Sequence, residues 1–303
     1  MCDDEERPGA AYTGRLRQSR ARSRWAKLAG ALLSGRVTLT QDARLELFCV
    51  VSDDSGLLQS YEVSAGRSIL IRTAGVEHVS VNHSHLEGFD NTGNIRIWPS
   101  EEVLAFYCAE RCEQFAQKRV LELAAGMSGL AGLVVAALGE PSRVVITDGN
   151  EQSSKHLAEN VKLNTHLSPK VPIESGCLLW GKERRRVHER LGRFDVVIAA
   201  DCLFLTEYHQ HLLESLDLLL DAGGYALLVG PTRGGSQGLF VERARSHGPF
   251  EVELHAEIHP RVRTLVQQQL HACVDPEERD TMNDKLTPRL VVIRRRNNHD
   301  ASH

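Results

Sequence analysis

The sequence lacks the features that identify membrane, secreted and metal-binding proteins. It contains no run of about twenty apolar residues and no signal-peptide pattern. Its seven cysteines are an odd number, are scattered along the chain and form no CxxC pair. His78, His83 and His85 lie close together without a second pair of ligands, so no metal is expected. We therefore expect reduced thiols, a location in the cytosol or nucleus, and no membrane partner.

The chain also lacks internal repeats and an overall charge of one sign. Its net charge of -4 over 303 residues is unlike that of a generic nucleic-acid binder, so no nucleic-acid partner is expected. Basic residues nevertheless cluster at 14–27, 182–193 and 294–296. Such clusters either bind an acidic partner or belong to a disordered tail and solvated faces. We expect a monomer.

The sequence that is present divides into three parts. Residues 1–24 are charged and poor in aliphatic side chains, which predicts a disordered basic tail. Residues 25–88 form a predicted β-rich lobe, and residues 89–303 form the predicted main domain. The strand-like segments of the lobe are 36–40, 44–51, 57–64 and 67–72.

The main domain alternates strands with helices from residue 119 onward. The predicted strands are 119–125, 142–148, 172–180, 194–201, 225–232, 250–258 and 289–296. The predicted helices are 128–139, 150–164, 206–224, closed by Gly223 and Gly224, and a last one that starts near Ser236. This alternation is typical of an α/β fold with a doubly wound, mostly parallel sheet. Such sheets bind ligands beyond the carboxyl ends of their strands.

A segment with a predicted turn, a short strand and a helix start precedes the first strand of this sheet. Residues 91–94 are turn-forming, and residues 95–98 predict a short strand that ends at Pro99. Residues 100–102, Ser-Glu-Glu, are then expected to open a helix, with a capping hydroxyl and acids in the first turn.

The loop after the first strand carries the pattern of a nucleotide-type cofactor site. Ala124, Gly126 and Gly129 match GxGxxG with alanine in the first place. Asp148 closes the second strand, nineteen residues after Gly129. Because an acid at that position can hold a ribose diol, both a dinucleotide and S-adenosylmethionine fit the pattern.

Glu122, at the head of this loop, favours S-adenosylmethionine. A buried carboxylate there repels a pyrophosphate but attracts an ammonium and a sulfonium. At about 4 Å, with an effective dielectric constant near 20, this difference amounts to several kcal/mol before desolvation. The alternative is that Glu122 only caps a nearby backbone amide.

Two further residues stand at predicted strand ends. Asp201 ends the fourth strand after an apolar run, and its carboxylate there can orient a nucleophile beside a methyl donor or simply bond to its own loop. Trp180 ends the third strand, where an aromatic ring can cover an adenine, although a single tryptophan is more often part of a core.

Four segments together resemble the seven-β-strand protein-lysine methyltransferases, and the calmodulin-lysine methyltransferases among them. They are FDNTGNIRIWPSEEVLAFYC (89–108), LELAAGMSGLAGL (121–133), ITDGNE (146–151) and ADCLFL (200–205). The resemblance covers roughly residues 36–296 and implies a Rossmann-like methyltransferase sheet of seven strands. It implies transfer from S-adenosylmethionine to a lysine ε-amine of calmodulin, through to trimethyl-lysine. Another protein lysine, an RNA, or a non-catalytic binding module on this fold remain alternatives.

The resemblance also implies roles for individual residues. Asp201 aligns the substrate amine, and Phe204 offers a cation–π face where the wider group has tyrosine. Ala124 and Ala125 stand where related loops often have glycine. The residues implied to bind the cofactor are Trp98, Glu122, Ala124, Gly126, Asp148, Trp180 and Ala200.

Overall fold

The computed structural model of the protein describes residues 44–73 and 97–296, which belong to one compact unit. The predicted tail 1–24, the strand-like segment 36–40 and the turn at 91–94 lie outside the described residues. The proposed domain boundaries after residues 24 and 88 stay predictions. None of the described helices is long and apolar enough to cross a membrane.

The described residues form ten strands and eight α-helices. The strands are β1 (Cys49–Ser52), β2 (Leu58–Ser64), β3 (Arg67–Arg72), β4 (Arg119–Leu123), β5 (Arg143–Asp148), β6 (Ile173–Cys177), β7 (Phe194–Ala200), β8 (Leu220–Gly230), β9 (Phe250–His255) and β10 (Arg289–Arg295). The helices are α1 (Pro99–Glu110), α2 (Leu130–Leu138), α3 (Glu151–Asn164), α4 (Arg185–Leu191), α5 (His209–Leu219), α6 (Ser236–Arg245), α7 (Pro260–Ala272) and α8 (Pro276–Leu286).

Seven strands form one mostly parallel sheet, which confirms the predicted fold class. Their order is β6-β5-β4-β7-β8-β10-β9, and β10 runs antiparallel to both of its neighbours. Along each central strand, successive side chains enter two different cores. Val120, Ile146 and Ile198 belong to the core on one face, and Leu121, Val145 and Val197 to the core on the other. This alternation is the two-residue period of strands that are buried on both faces.

The N-terminal lobe is a three-stranded antiparallel sheet in the order β1-β2-β3. Tyr61, Ile69 and Ile71 are fully buried in the core that also holds β4 and α2. The side chains of Asn160 and Asn164 on α3 bond to the backbone of β3 at residues 72 and 70. The small β-rich lobe is therefore confirmed in these residues, although 44–48 precede β1 instead of extending it.

One expectation about a helix was wrong, and three helices were not predicted. The helix predicted over 206–224 ends at Leu219, and Gly223 and Gly224 lie inside β8. A Cβ atom on Gly224 would lie 3.0 Å from the carbonyl oxygen of Asp195, at the irregularity in the β7–β8 register. Gly224 therefore permits close strand pairing, and neither glycine terminates the helix. The polar helices α4, α7 and α8 were not predicted, because they bury few apolar residues.

Candidate functional site

The crevice of this sheet lies between β4 and β7. The chain leaves β4 toward β5 and β6 and then returns to the other side of β4 as β7. This reversal is a topological switch point, where ligands bind at the carboxyl ends of the strands. The loops that follow β4, β5 and β7 therefore share one edge, and Ala124, Asp148 and Asp201 stand on it.

Asp148 ties the end of β5 to the loop after β4. Its Oδ2 atom accepts a hydrogen bond of 2.9 Å from the amide of Gly126, and its Oδ1 atom accepts one of 2.9 Å from Asn150. The Ala125 amide also donates to the carbonyl of Thr147 at 3.0 Å. Two of the predicted cofactor residues, Gly126 and Asp148, thus lie in direct contact.

Glu122 is buried beneath the first turn of α2. Its Oε2 atom accepts a hydrogen bond of 2.8 Å from the amide of Gly132. A Cβ atom on Gly132 would lie 2.5 Å from that oxygen, so only glycine permits this approach. Glu122 therefore makes the amide-capping contact that the sequence had left open, and it does so at the positive end of a helix that meets the candidate crevice.

Glu101 is a site residue that the sequence analysis did not identify as one. Helix α1 begins at Pro99 with Trp98 as its N-cap residue and without a side-chain cap, so the expected Ser100 cap is wrong. Glu101 instead accepts hydrogen bonds from the Ser128 hydroxyl and, at 3.3 Å, from the Leu130 amide. It thus caps α2 from another helix.

Glu102 connects α1 to the N-terminal segment. Its two carboxylate oxygens accept hydrogen bonds from the amides of Leu45 and Leu47, at 2.9 and 2.7 Å. The acids expected to stabilise the first turn of their own helix therefore link different parts of the structure.

Three buried carboxyl groups come together at this end of α2. Desolvation by burial is the main cause that raises the pKa of Glu122 to about 8, Glu101 to about 7 and Asp148 to about 6. Glu101 and Asp148 further raise the pKa of Glu122 through their negative charges. Each group is thus less acidic than usual, and a bound cation would favour its ionised form.

Asp201 follows β7 in a left-handed backbone conformation, with φ of +49°. Its carboxylate forms a two-pronged ion pair with Arg233, in which Nε lies 2.8 Å from Oδ1 and the second nitrogen, Nη2, contacts Oδ2. The Arg233 guanidinium lies 5.7 Å from the ring centroids of both Trp98 and Phe204. Three predicted site residues therefore meet around an arginine that the sequence analysis missed.

Side chains from α5 and α6 bond to the backbone of the loop that carries Phe204. The carbonyl of Leu203 bonds to the His209 ring at 2.9 Å, and Arg243 donates to the carbonyl of Thr206 at 2.6 Å. The thiol of Cys202 is buried and its pKa is raised to about 12, mainly by desolvation. This agrees with its interpretation as a packed apolar residue and not a nucleophile.

The two remaining cofactor predictions fall at the same edge. Ala200 is the last residue of β7 and packs against the core that contains Ile198. Trp180 is half-buried against the core that contains Val197. It lies three residues beyond the end of β6 and not at the last position of that strand. Their contacts with a cofactor stay predictions.

The basic clusters differ in position. Cluster 14–27 lies outside the described residues, while Arg294, Arg295 and Arg296 each pair with an acid within the chain. Cluster 182–193 lies between β6 and β7, and its two ends lie toward opposite edges of the sheet. Arg184 lies near Cys177, at the carboxyl end of β6, and Leu191 bonds to Arg143, at the opposite end of β5.

The histidines considered for metal binding, His78, His83 and His85, lie outside the described residues. Within 44–73 and 97–296, no group of three or more His, Cys, Asp or Glu side chains is arranged to hold a metal ion.

The sequence has known relatives. It matches the family model described as lysine methyltransferase over residues 83–247, more than half of the chain. It is 36% identical over 189 residues to a calmodulin-lysine N-methyltransferase of Arabidopsis thaliana, covering 61% of each chain. It is 31% identical over 135 residues to a protein N-lysine methyltransferase of Mus musculus, covering 44% of this chain and 58% of that protein. The chain thus spans less than two thirds of the length of either relative.

Among solved structures, an O-methyltransferase of Bacillus cereus in complex with SAH overlaps with a TM-score of 0.43 at 14% identity. The overlap covers 66% of this chain and 83% of that chain.

Lysine methyltransferases take the methyl group from S-adenosylmethionine, so the family match confirms the predicted cofactor. The residues at the crevice fit this group. Glu101, Glu122 and Asp148 place buried carboxyl groups around the start of α2, where the ammonium and sulfonium of a bound cofactor would supply compensating positive charge. When ionised, Glu101 and Glu122 would repel the pyrophosphate of a dinucleotide, which argues against the dinucleotide alternative.

Proposed function

Because the chain belongs to the lysine methyltransferase family, we propose that it transfers methyl groups from S-adenosylmethionine to one lysine of calmodulin, through to trimethyl-lysine. The observation that carries the proposed target is the 36% identity with the Arabidopsis calmodulin-lysine N-methyltransferase. Exposed arginines 184 to 186 support it, because calmodulin is strongly acidic and electrostatic attraction would bring it toward this part of the chain.

Bound S-adenosylmethionine supplies an electrophilic methyl group, and the amine lone pair forms the new N–C bond as the C–S bond breaks. The attacking amine must be neutral. With a lysine pKa near 10.4, only about one amine in a thousand is neutral at pH 7.4, which costs roughly 4 kcal/mol. The chain's residues therefore have to orient the amine and favour the loss of its proton to water.

We assign the orienting role to Asp201. Its side chain is only 10% exposed, it stands at the end of β7, and its backbone amide is fixed by a 2.8 Å hydrogen bond to the carbonyl of Val229. A carboxylate in this position aligns the amine and stabilises the ammonium that each methyl transfer produces. We do not assign it as a general base, because a carboxylate beside an amine favours the protonated form of that amine.

Mass spectrometry of calmodulin peptides tests the proposal. Unmethylated calmodulin is incubated with the purified chain and isotopically labelled S-adenosylmethionine. We expect label on a single lysine, and a loss of about a hundredfold in rate for Asp201→Asn with cofactor binding retained. Cofactor binding without label on calmodulin would reject the target, and label on RNA or on another protein in a cell lysate would identify the substrate class. An undiminished rate for Asp201→Asn would reject the role of Asp201.

A further inference from the structure

Arg233 forms an ion pair with Asp201, the residue to which we assign the orientation of the substrate amine. Its guanidinium contacts both oxygens of Asp201, and the two side chains are only 14% and 10% exposed. It lies in the loop between β8 and α6, 32 residues from Asp201 in the sequence. A two-pronged arginine–carboxylate pair fixes the orientation of the carboxylate as well as its charge.

The surroundings of Arg233 restrict its position. The rings of Trp98 and Phe204 each lie 5.7 Å from the guanidinium carbon, within the range of cation–π attraction. Its ring contacts therefore come from the start of α1 and from the loop after β7. The guanidinium thus joins the segment that carries the predicted cofactor residue Trp98 to the segment that carries Asp201.

The backbone of Arg233 is also held. Its φ is +42°, a left-handed conformation that a non-glycine residue keeps only when its surroundings enforce it. Asp284 at the end of α8 provides that enforcement. Its carbonyl accepts the Arg233 amide at 3.1 Å, and its Oδ2 atom accepts the Gly234 amide at 2.7 Å.

The charges around Asp201 show how Arg233 can affect the substrate amine. Alone, a carboxylate beside a lysine favours the protonated amine and so opposes the reaction. Arg233 offsets that effect with a fixed positive charge. The neighbouring Cys202 is a thiol, the rings of Trp98 and Phe204 are uncharged, and Asp284 is engaged with the backbone of the Arg233 loop.

We propose that Arg233 is a positioning residue that orients Asp201 and offsets its charge, so that the bound lysine amine loses its proton closer to neutral pH. This inference rests on the proposed lysine transfer and adds a residue to it. Arg233 acts through Asp201 and through the amine's proton affinity, without contributing atoms to the reaction.

The test is the pH dependence of kcat and KM for methyl transfer by Arg233→Met, Arg233→Lys and the control Arg245→Met, which removes an exposed arginine of α6. For Arg233→Met we expect kcat at pH 7.5 to fall by about tenfold and the acidic limb of the profile to move up by about one unit. The rate should recover at high pH. Arg233→Lys should restore part of the shift because it keeps the charge, and Arg245→Met should match the wild type.

A second comparison isolates the route through Asp201. In the Asp201→Asn background, Arg233→Met should lower kcat clearly less than in the wild type, because no carboxylate remains for Arg233 to orient and only its direct effect on the proton affinity of the amine is left. An equal loss at every pH would make Arg233 merely structural and overturn the proposal. A higher rate or a lower KM for Arg233→Met at neutral pH would overturn it too, since Arg233 would then be occupying the place of the substrate lysine.

The two proposals can fail separately. If the wild type leaves calmodulin unlabelled, the target is rejected, and the same pH series on the protein labelled in a lysate decides the role of Arg233. If no lysine is labelled in any protein, both proposals are rejected.

Discussion

The Oε2 atom of Glu122 lies 2.8 Å from the backbone nitrogen of Gly132, beneath the first turn of α2. This contact leaves a buried acid, with its pKa raised to about 8, at the end of the helix that meets the crevice. The folded chain therefore binds this proton more tightly than the unfolded chain does. The free energy of unfolding of the cofactor-free protein should fall as pH rises from the ordinary value of 4.5 through about 8.

The same acid makes cofactor binding depend on pH in the opposite direction. A cationic cofactor favours ionised carboxyl groups, so its affinity should rise by about tenfold between pH 6 and 8, with release of protons. Calorimetry in buffers of different ionisation enthalpy measures both quantities. Glu122→Gln should reduce the pH dependence and weaken binding at pH 8, while the exposed Glu113→Gln should change neither. An affinity that is flat over this range would contradict the role of Glu122.

Ala124 adopts a left-handed conformation, with φ of +54°, at the first position of the cofactor loop. Glycine adopts this conformation without a steric penalty. Ala124→Gly should therefore stabilise the protein by about 0.5–1 kcal/mol, after the entropy cost of glycine in the unfolded chain is subtracted. Denaturant unfolding measures the change. Ala125→Gly is the matched control and should destabilise by about 1 kcal/mol, because Ala125 is buried and its φ is not positive.

Glu102 accepts the amides of Leu45 and Leu47, and so holds the N-terminal segment against α1. In Glu102→Gln, one of the two acceptors becomes a donor that faces another donor. We expect a loss of about 2 kcal/mol in the free energy of unfolding. Glu110→Gln, at the exposed end of the same helix, should be neutral within about 0.5 kcal/mol. Equal effects of the two substitutions in denaturant unfolding would show that the contact to 45–47 contributes nothing.

Arg184 and Arg190 are both exposed but lie toward different ends of the region between β6 and β7. If an acidic target docks at the carboxyl edge, Arg184→Glu should raise KM for calmodulin several-fold with little change in kcat. Arg190→Glu should have a clearly smaller effect. Steady-state kinetics at increasing salt concentration tests whether the difference is electrostatic. The difference in KM between the wild type and Arg184→Glu should shrink as the charges are screened. If Arg184→Glu and Arg190→Glu changed KM equally at all salt concentrations, docking at the carboxyl edge would be ruled out.

The sequence predicted the parts of the fold and site that depend on local pattern. Apolar strands that end in Asp148 and just before Asp201 identified the edge of the sheet, because parallel strands bring their carboxyl ends together. Arg233 lies 32 residues from its partner Asp201, and Glu101 lies 27 residues from Ser128. No periodicity connects residues at such distances. Their pairing depends on how the loops after β8 and β4 close over the sheet, which only the folded chain shows.

Two glycines have a role that local pattern does not predict. Gly223 and Gly224 follow an apolar helix, where glycine commonly ends the helix. Here both lie inside β8, and Gly224 allows β8 to pair closely with β7, a requirement set by the neighbouring strand. Helix α8 buries only Leu286, so its sequence carries no clear apolar stripe, yet its Asp284 holds the Arg233 loop.

The most direct test of the account is the intact mass of unmethylated calmodulin, followed over time with the purified chain and excess S-adenosylmethionine. We predict that the mass rises in steps of one methyl group and stops at the trimethyl state. The steps should be about a hundredfold slower in Asp201→Asn, a variant that still binds the cofactor. A calmodulin mass that stays unchanged, while the same preparation binds S-adenosylmethionine, would contradict the account.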